Sequence, residues 1–188
     1  MEWEEFEAVV YDALVESVGT AFRERPDERF YAAALGRIHR KPGGVIALPS
    51  LALATEPLAP RTPVNWVYSG TPWMSPDTVK RWQAMLFAEA TGGSPRRWET
   101  ALERYLATLA RACKGARHTL RAHRITGRDF VVLLLDDQFR ESLIRQVLPV
   151  SDIRRLFPEL DARPVALTGS SRPTHAERAS MWGQDSSS

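Results

Sequence analysis

An uninterrupted apolar run lies at Phe130–Leu135, six residues without polar alternation. A strand covered on both faces has such a run, whereas a strand with one wet face alternates apolar and polar residues. An acidic pair ends the run, and apolar residues then recur every fourth position from Phe139 until Pro149. This spacing is typical of a helix. The pattern predicts a central buried strand at about 129–135, then a turn and a helix.

The first helix is predicted over residues 2–24, where an apolar stripe runs opposite an acidic outer face. Such an acidic face is either a solvated surface or a surface for a basic partner, and the pattern leaves both interpretations open. The stripe consists of Trp3, Phe6, Val10, Ala13 and Ser17.

Two further helices begin at Ser75-Pro76 and Ser94-Pro95. Each pair puts a capping hydroxyl before a proline at the first helical position, where the missing N–H is not needed. We expect the first of these helices to end at Gly92-Gly93 and the second at Gly115.

The remaining strands are predicted from turn residues and alternation. Lys41-Pro42-Gly43-Gly44 separates two apolar runs, Phe30–Ile38 and Val45–Pro49, which predicts a β-hairpin. Residues 51–63 are rich in proline and are interpreted as an extended connection. Trp66 and Tyr68 alternate on a further short strand.

These elements predict a single α+β domain over residues 1–163. Its small mixed sheet is built from strands near residues 30, 45, 66 and 131 and is packed against four helices. Residues 164–188 are polar and aperiodic, which predicts a flexible tail with Met181-Trp182 as its one candidate anchor.

Composition limits the size of the core and the cellular compartment more than it limits the function. The chain has 188 residues, 44% of them hydrophobic, which is enough for one core. Only three of its 25 basic residues are lysines, and the formal charge is +2. The one cysteine, Cys113, excludes an internal disulfide and a CxxC metal site, so we expect a reducing cytoplasm. We find neither a basic signal segment nor a membrane-length apolar run and expect no membrane partner.

The most aromatic segment supplies the first candidate site. Trp66, Tyr68 and Trp73 are interpreted either as core or as a surface for a partner or ligand, because Trp and Tyr offer large rigid contacts with a polar tip. Pro72 fixes the direction of the chain into Trp73. We expect Trp66 to be mostly sealed and Tyr68 or Trp73 to be partly open.

The acidic pair Asp136-Asp137, at the end of the predicted strand, is the second candidate site. Asp137 can cap the helix that follows, whereas Asp136 has no evident structural role. Carboxylates at a strand end also suit a metal-dependent hydrolase of phosphoesters. Such sites need further carboxylates at defined spacings, and we identify none, so we expect no catalytic residue, no bound metal and no cofactor.

Residues 114–128 form the one basic stretch. The helical spacing of Arg117, Arg121, Arg124 and Arg128 would suit phosphates, which makes nucleic-acid binding an alternative function. It is the less favoured one, because no aromatic residues interleave and the whole-chain charge is nearly balanced.

Three short motifs, Phe30-Tyr31-Ala32, the segment Trp66–Trp73 and Leu133–Leu143, resemble an uncharacterised bacterial family known only as a domain of unknown function. The resemblance covers about residues 2–161, and the chain departs from it at Leu148, where the family tends to have Asn before the proline. It implies a bacterial cytoplasmic α+β domain and brings no catalytic residue. By analogy with toxin-immunity proteins, it favours a non-catalytic, immunity-like module that binds another protein.

Overall fold

The computed structural model describes residues 1–55, 68–91, 93–136 and 138–161. Six helices and four strands lie in these ranges, and together they form one small α+β domain, which confirms the predicted class. In chain order the elements are α1 (Trp3–Glu24), β1 (Ala32–Gly36), β2 (Ser50–Ala54), β3 (Tyr68–Thr71), α2 (Pro76–Ala90), α3 (Pro95–Ala122), β4 (Val131–Leu134), α4 (Arg140–Val147), α5 (Val150–Leu156) and α6 (Pro158–Asp161).

The sheet is mixed, with the strand order β3-β2-β1-β4. β1 pairs antiparallel with β2, Ala33 opposite Leu53, and parallel with β4, Ala33 opposite Val132. Among the described strands, β4 therefore stands at the end of the order and β1 has a neighbour on each side. The predicted strand at 129–135 is buried as expected, since α3 and α4 both pack on it, but the prediction that it is the central strand is wrong for the described sheet. An apolar run reports how a strand is covered, not which strands it is bonded to.

The predicted hairpin turn is present, but its second strand is displaced. The N–H of Lys41 donates to the oxygen of Val45, and that of Gly44 to the oxygen of Lys41, both at 2.9 Å. The strand that pairs with β1 is β2, in the segment predicted as an extended connection. Residues 45–49, predicted as that strand, form only an isolated bridge between Arg40 and Ile46.

Residues 44–49 have side chains, and not a neighbouring strand, as their main hydrogen-bonding partners. The Gln83 side-chain amide bonds to this backbone as a neighbouring strand would. Its Nε2 donates to the oxygen of Ile46 (2.8 Å), and its Oε1 accepts from the N–H of Leu48 (3.0 Å). Three aromatic side chains donate to further carbonyl oxygens: Trp98 Nε1 to Gly44 (3.1 Å), the Tyr105 hydroxyl to Ala47 (3.0 Å) and Trp73 Nε1 to Pro49 (3.0 Å). We call residues 44–49 the clamped segment.

Helix α1 is found at nearly its predicted bounds, with a slightly rotated stripe. Its buried residues are Phe6, Val10, Leu14, Val18, Gly19 and Ala21. Ala13 and Ser17, predicted on the stripe, are only half-buried beside it. The ring of Phe6 anchors α1 in the core, with its centroid 5.1 Å from that of Trp82 and 5.9 Å from that of Tyr105.

The capping predictions are confirmed in part. The Ser75 hydroxyl accepts a hydrogen bond from the N–H of Thr78 (3.2 Å), whereas the Ser94 side chain makes no such bond. The prediction that α3 ends at Gly115 is wrong, since the helix continues to Ala122. A Cβ at Gly115 would lie 3.3 Å from Cδ2 of Tyr11. The glycine therefore makes room for a ring from α1 and does not end the helix.

The segment after α4 contains more helix than predicted. Residues Val150–Leu156 form α5, and α6 follows directly, so the described ranges hold six helices where four were expected. None of the helices in these ranges is both long and apolar enough to cross a membrane.

Candidate binding groove

The four predicted site residues are described to different extents. Trp66 and Asp137 lie outside the described residues, as does the candidate anchor Met181-Trp182. Tyr68 is the first residue of β3, whose side chains are also outside them. Trp73 and Asp136 are described in full. They lie in different places, Trp73 after β3 and Asp136 after β4.

Trp73 is nearly sealed, with 8% of its surface exposed and its indole N–H bonded to Pro49. Its backbone oxygen accepts a hydrogen bond from the Ser17 hydroxyl (3.3 Å), which ties it to α1. We expected Tyr68 or Trp73 to be partly open, and of these two Trp73 is mostly a core residue.

A groove of about 600 Å³ runs between α1 and the sheet, and Trp73 lines it. Leu51 and Leu53 of β2 point into it from the sheet side, being two residues apart on one strand face. Val9 and Ala13 line the helix side. The groove therefore has an apolar floor that joins α1, β2 and the residue predicted as an aromatic site. Leu51, Leu53 and Trp73 present only their outer edges to it, since they are 1%, 3% and 8% exposed.

Three carboxylates stand along the rim of this groove, those of Asp12, Glu16 and Glu24, all exposed on α1. Among the described residues none of the three forms an ion pair or hydrogen bond through its side chain. Arg25 also lines the rim, and its Nε lies 4.0 Å from Glu28 Oε1.

Other acidic residues of α1 are neutralised by arginines of neighbouring helices. Glu5 accepts from Arg81 of α2 at 2.7 Å, and Glu7 accepts from Arg111 of α3 at 2.6 Å. The acidic residues of α1 thus include two that are paired within the molecule, Glu5 and Glu7, and three at the groove that have no partner among the described residues.

Asp136 is saturated by contacts within the chain. Its Oδ1 accepts the N–H groups of Gln138 (2.9 Å) and Phe139 (3.1 Å), and both oxygens accept from the Arg40 guanidinium. The carboxylate therefore stabilises the turn into α4, the role predicted for its neighbour Asp137. Burial acts to raise the pKa of Asp136, but the hydrogen bonds from Arg40, Gln138 and Phe139 outweigh it, and the pKa lies below its ordinary value.

These contacts leave Asp136 little capacity for a metal ion. Across the four described ranges, no three His, Cys, Asp or Glu side chains come close enough together to hold a metal. Cys113 is fully buried, and burial raises the pKa of its thiol far above the usual range, which disfavours the reactive thiolate.

The basic stretch is partly used for internal packing. Arg117 and Arg121 of α3 point at the buried Asp152 of α5, with Nη2 to Oδ2 distances of 3.0 and 3.5 Å. That oxygen accepts no hydrogen bond of good geometry from the described residues, so charge alone compensates it. Arg155 pairs with the other oxygen at 3.1 Å. Burial lowers the pKa of Arg117, as do Arg121 and Arg155, while Asp152 opposes the shift.

The chain matches no protein-family model, no curated protein and no solved structure. The resemblance to a bacterial family of unknown function therefore stays a prediction.

Trp73 and the acidic face of α1 were both predicted from the sequence, but their position along the same groove was not. The residues it missed are Leu51 and Leu53, hidden in a segment interpreted as a connection, and Arg40, the partner of Asp136. The alternation of Leu51 and Leu53 is a weak strand signal that the nearby prolines obscured.

Proposed function

We propose that this protein is a non-catalytic protein-binding module whose partner docks in the groove between α1 and Trp73. The observation that carries the proposal is the combination of an apolar floor with acidic rim residues that have no partner of their own among the described residues. In protein interfaces, apolar contacts contribute most of the affinity, and complementary charges determine which partner binds.

The contrast within α1 supports this assignment. Arginines of α2 and α3 neutralise Glu5 and Glu7, while Asp12, Glu16 and Glu24 at the groove lack such partners in the described ranges. Unpaired carboxylates beside an apolar floor favour a partner with positive charge over a neutral or acidic one.

A selection from random peptides tests the proposal, because it does not require the partner to be identified first. Random heptapeptides displayed on phage are selected against the immobilised chain, and single enriched clones are then tested for binding to two variants. The groove variant is Asp12→Lys/Glu16→Lys. The control is Glu4→Lys, an exposed acid on the same helix that does not line the groove.

We expect the enriched peptides to lose at least tenfold in binding to the groove variant and to bind the control nearly as well as the original chain. Both variants should keep the original circular-dichroism spectrum, because all three positions are exposed. Enriched peptides that bind the groove variant and the original chain equally well would refute the groove as the docking site.

A further inference from the structure

We infer that the occupant of the groove is an extended basic segment of a partner protein, with cationic residues at the first, third and seventh positions and apolar residues between them. This inference rests on the proposed function and specifies the chemistry of the partner at that same site.

The spacing comes from the three rim carboxylates. A helix rises 1.5 Å per residue, so Asp12 and Glu16 are separated by about 6 Å along α1, and Glu16 and Glu24 by about 12 Å. An extended chain advances about 3.3 Å per residue. The first interval therefore spans about two residues of an extended partner and the second about four.

These intervals are both even, which matters because successive side chains of an extended chain point to opposite sides. Cations at the first, third and seventh positions all face the same way. Asp12 and Glu24 lie about 120° apart around α1, but both line the groove, and the long side chains of arginine and lysine can cover that difference. The even positions then face away from the rim, toward the floor formed by Leu51, Leu53 and Trp73. Apolar side chains suit those positions.

Length separates this occupant from a small cationic molecule. The carboxylates extend over about 18 Å of helix, and the groove separates them from the apolar side chains of β2. A linear polyamine supplies cations but no side chains to fill the floor. A peptide supplies both from one backbone.

The test uses two synthetic peptides of identical composition, labelled with fluorescein and followed by anisotropy. The first is acetyl-Arg-Leu-Arg-Leu-Ser-Leu-Arg-amide, with the inferred spacing. The second is acetyl-Arg-Arg-Arg-Leu-Leu-Ser-Leu-amide, in which the cations are adjacent. Spermine serves as an unlabelled competitor.

We expect the first peptide to bind at least tenfold more tightly than the second. We also expect Asp12→Asn/Glu16→Gln to weaken it severalfold, Asp12→Lys/Glu16→Lys at least tenfold and Glu4→Lys less than twofold. Binding should weaken as salt is added, because the rim charges are exposed.

Three results would overturn the inference. Equal binding of both peptides, lost in the groove variant, would refute the spacing while leaving the proposed function intact. Displacement of the first peptide by spermine at an equal concentration would point to a small polyamine as the occupant. If neither peptide binds, the basic extended segment is wrong, and the phage selection decides separately whether the groove binds peptides at all.

Discussion

The indole Nε1 of Trp73 lies 3.0 Å from the carbonyl oxygen of Pro49 and donates a hydrogen bond to it. The same ring lines the groove beside α1. Trp73 therefore has two roles, one in fixing the end of the clamped segment and one in forming the floor of the proposed binding site. A substitution at this position tests the first role through stability and the second through binding.

Replacing Trp73 with Phe removes the donor and leaves the Pro49 oxygen unsatisfied in a buried place. We expect the free energy of unfolding to fall by about 2 kcal/mol, from the lost hydrogen bond and the smaller ring. Urea denaturation followed by circular dichroism measures the change. The control is Trp3→Phe, a half-buried ring against Phe6 with no indole hydrogen bond to the described residues, for which we expect less than about 1 kcal/mol. Equal losses in the two variants would show that the bond to Pro49 is unimportant.

Tyr105→Phe removes a single buried hydroxyl, the one that donates to Ala47 at 3.0 Å. We expect a loss of about 1–3 kcal/mol at neutral pH. Tyr11→Phe is the matched control, since its half-buried hydroxyl bonds to Thr119 at 2.8 Å, and we expect a smaller loss there. A similar loss in both variants would argue against a larger contribution of the clamped segment to the free energy of unfolding.

The same residue makes stability depend on pH in the alkaline range. Burial raises the pKa of Tyr105 well above its ordinary value, so the folded protein keeps the hydroxyl protonated while the unfolded chain ionises near pH 10. The stability contribution is complete below pH 10 and declines above it, by up to about 1.4 kcal/mol per pH unit. Unfolding curves at pH 9, 10 and 11 should show the stability difference between the original chain and Tyr105→Phe narrowing. A constant difference would contradict the assignment.

Asp136→Asn breaks a buried ion pair, in which the Asp136 side chain is 4% exposed and that of Arg40 is 10% exposed. We expect a loss of about 3 kcal/mol at pH 7, because the arginine is left buried without its counter-charge. The lowered pKa of Asp136 means that its contribution is present above about pH 4 and is lost as the pH falls further, so the two proteins should converge in acid.

Two measurements accompany this variant. Asp27→Asn, an exposed position, is the control and should change stability by less than about 0.5 kcal/mol. Isothermal titration with Mg²⁺ or Mn²⁺ should show no binding that depends on Asp136, because its oxygens already accept from Arg40, Gln138 and Phe139. Metal binding that disappears in Asp136→Asn would revive the hydrolase hypothesis.

Asp152→Asn leaves Arg117, Arg121 and Arg155 without the buried carboxylate on which they converge. We expect a loss of about 3 kcal/mol in urea denaturation, since removing one partner of a buried cluster leaves like charges together. Asp129→Asn is the control, because it touches Arg155 at 3.4 Å from a side chain that is 74% exposed, and it should cost less than about 0.5 kcal/mol. Equal effects would mean that the cluster is surface charge only.

Local signals predicted much of this fold. The hydroxyl-proline pairs marked the starts of α2 and α3, and the apolar run marked β4, because capping and burial act on neighbouring residues. The clamped segment was misassigned for the opposite reason. Its partners, Trp73, Gln83, Trp98 and Tyr105, are between 24 and 58 residues away, and no local pattern predicts these contacts.

The groove was unpredictable for a related reason. Its helix wall and Trp73 lie far apart in the chain. Whether Asp12 and Glu16 find a partner among the described residues depends on where the arginines of other helices point. Gly115 shows the same limit on a smaller scale, since a glycine that admits the Tyr11 ring is indistinguishable in sequence from one that ends a helix.

The position of β4 at the end of the described sheet order has a consequence for solubility. A Val-Val-Leu-Leu strand with a free edge is a template for pairing with another chain. Here α3 lies against it, and the Arg121 guanidinium holds the Phe130 oxygen just before the strand with Nε and Nη2 at 3.3 and 2.8 Å. Arg121 thus contacts both the start of this strand and Asp152, and we expect Arg121→Ala to loosen the cover where the strand begins and to raise self-association of the chain, measured by analytical ultracentrifugation.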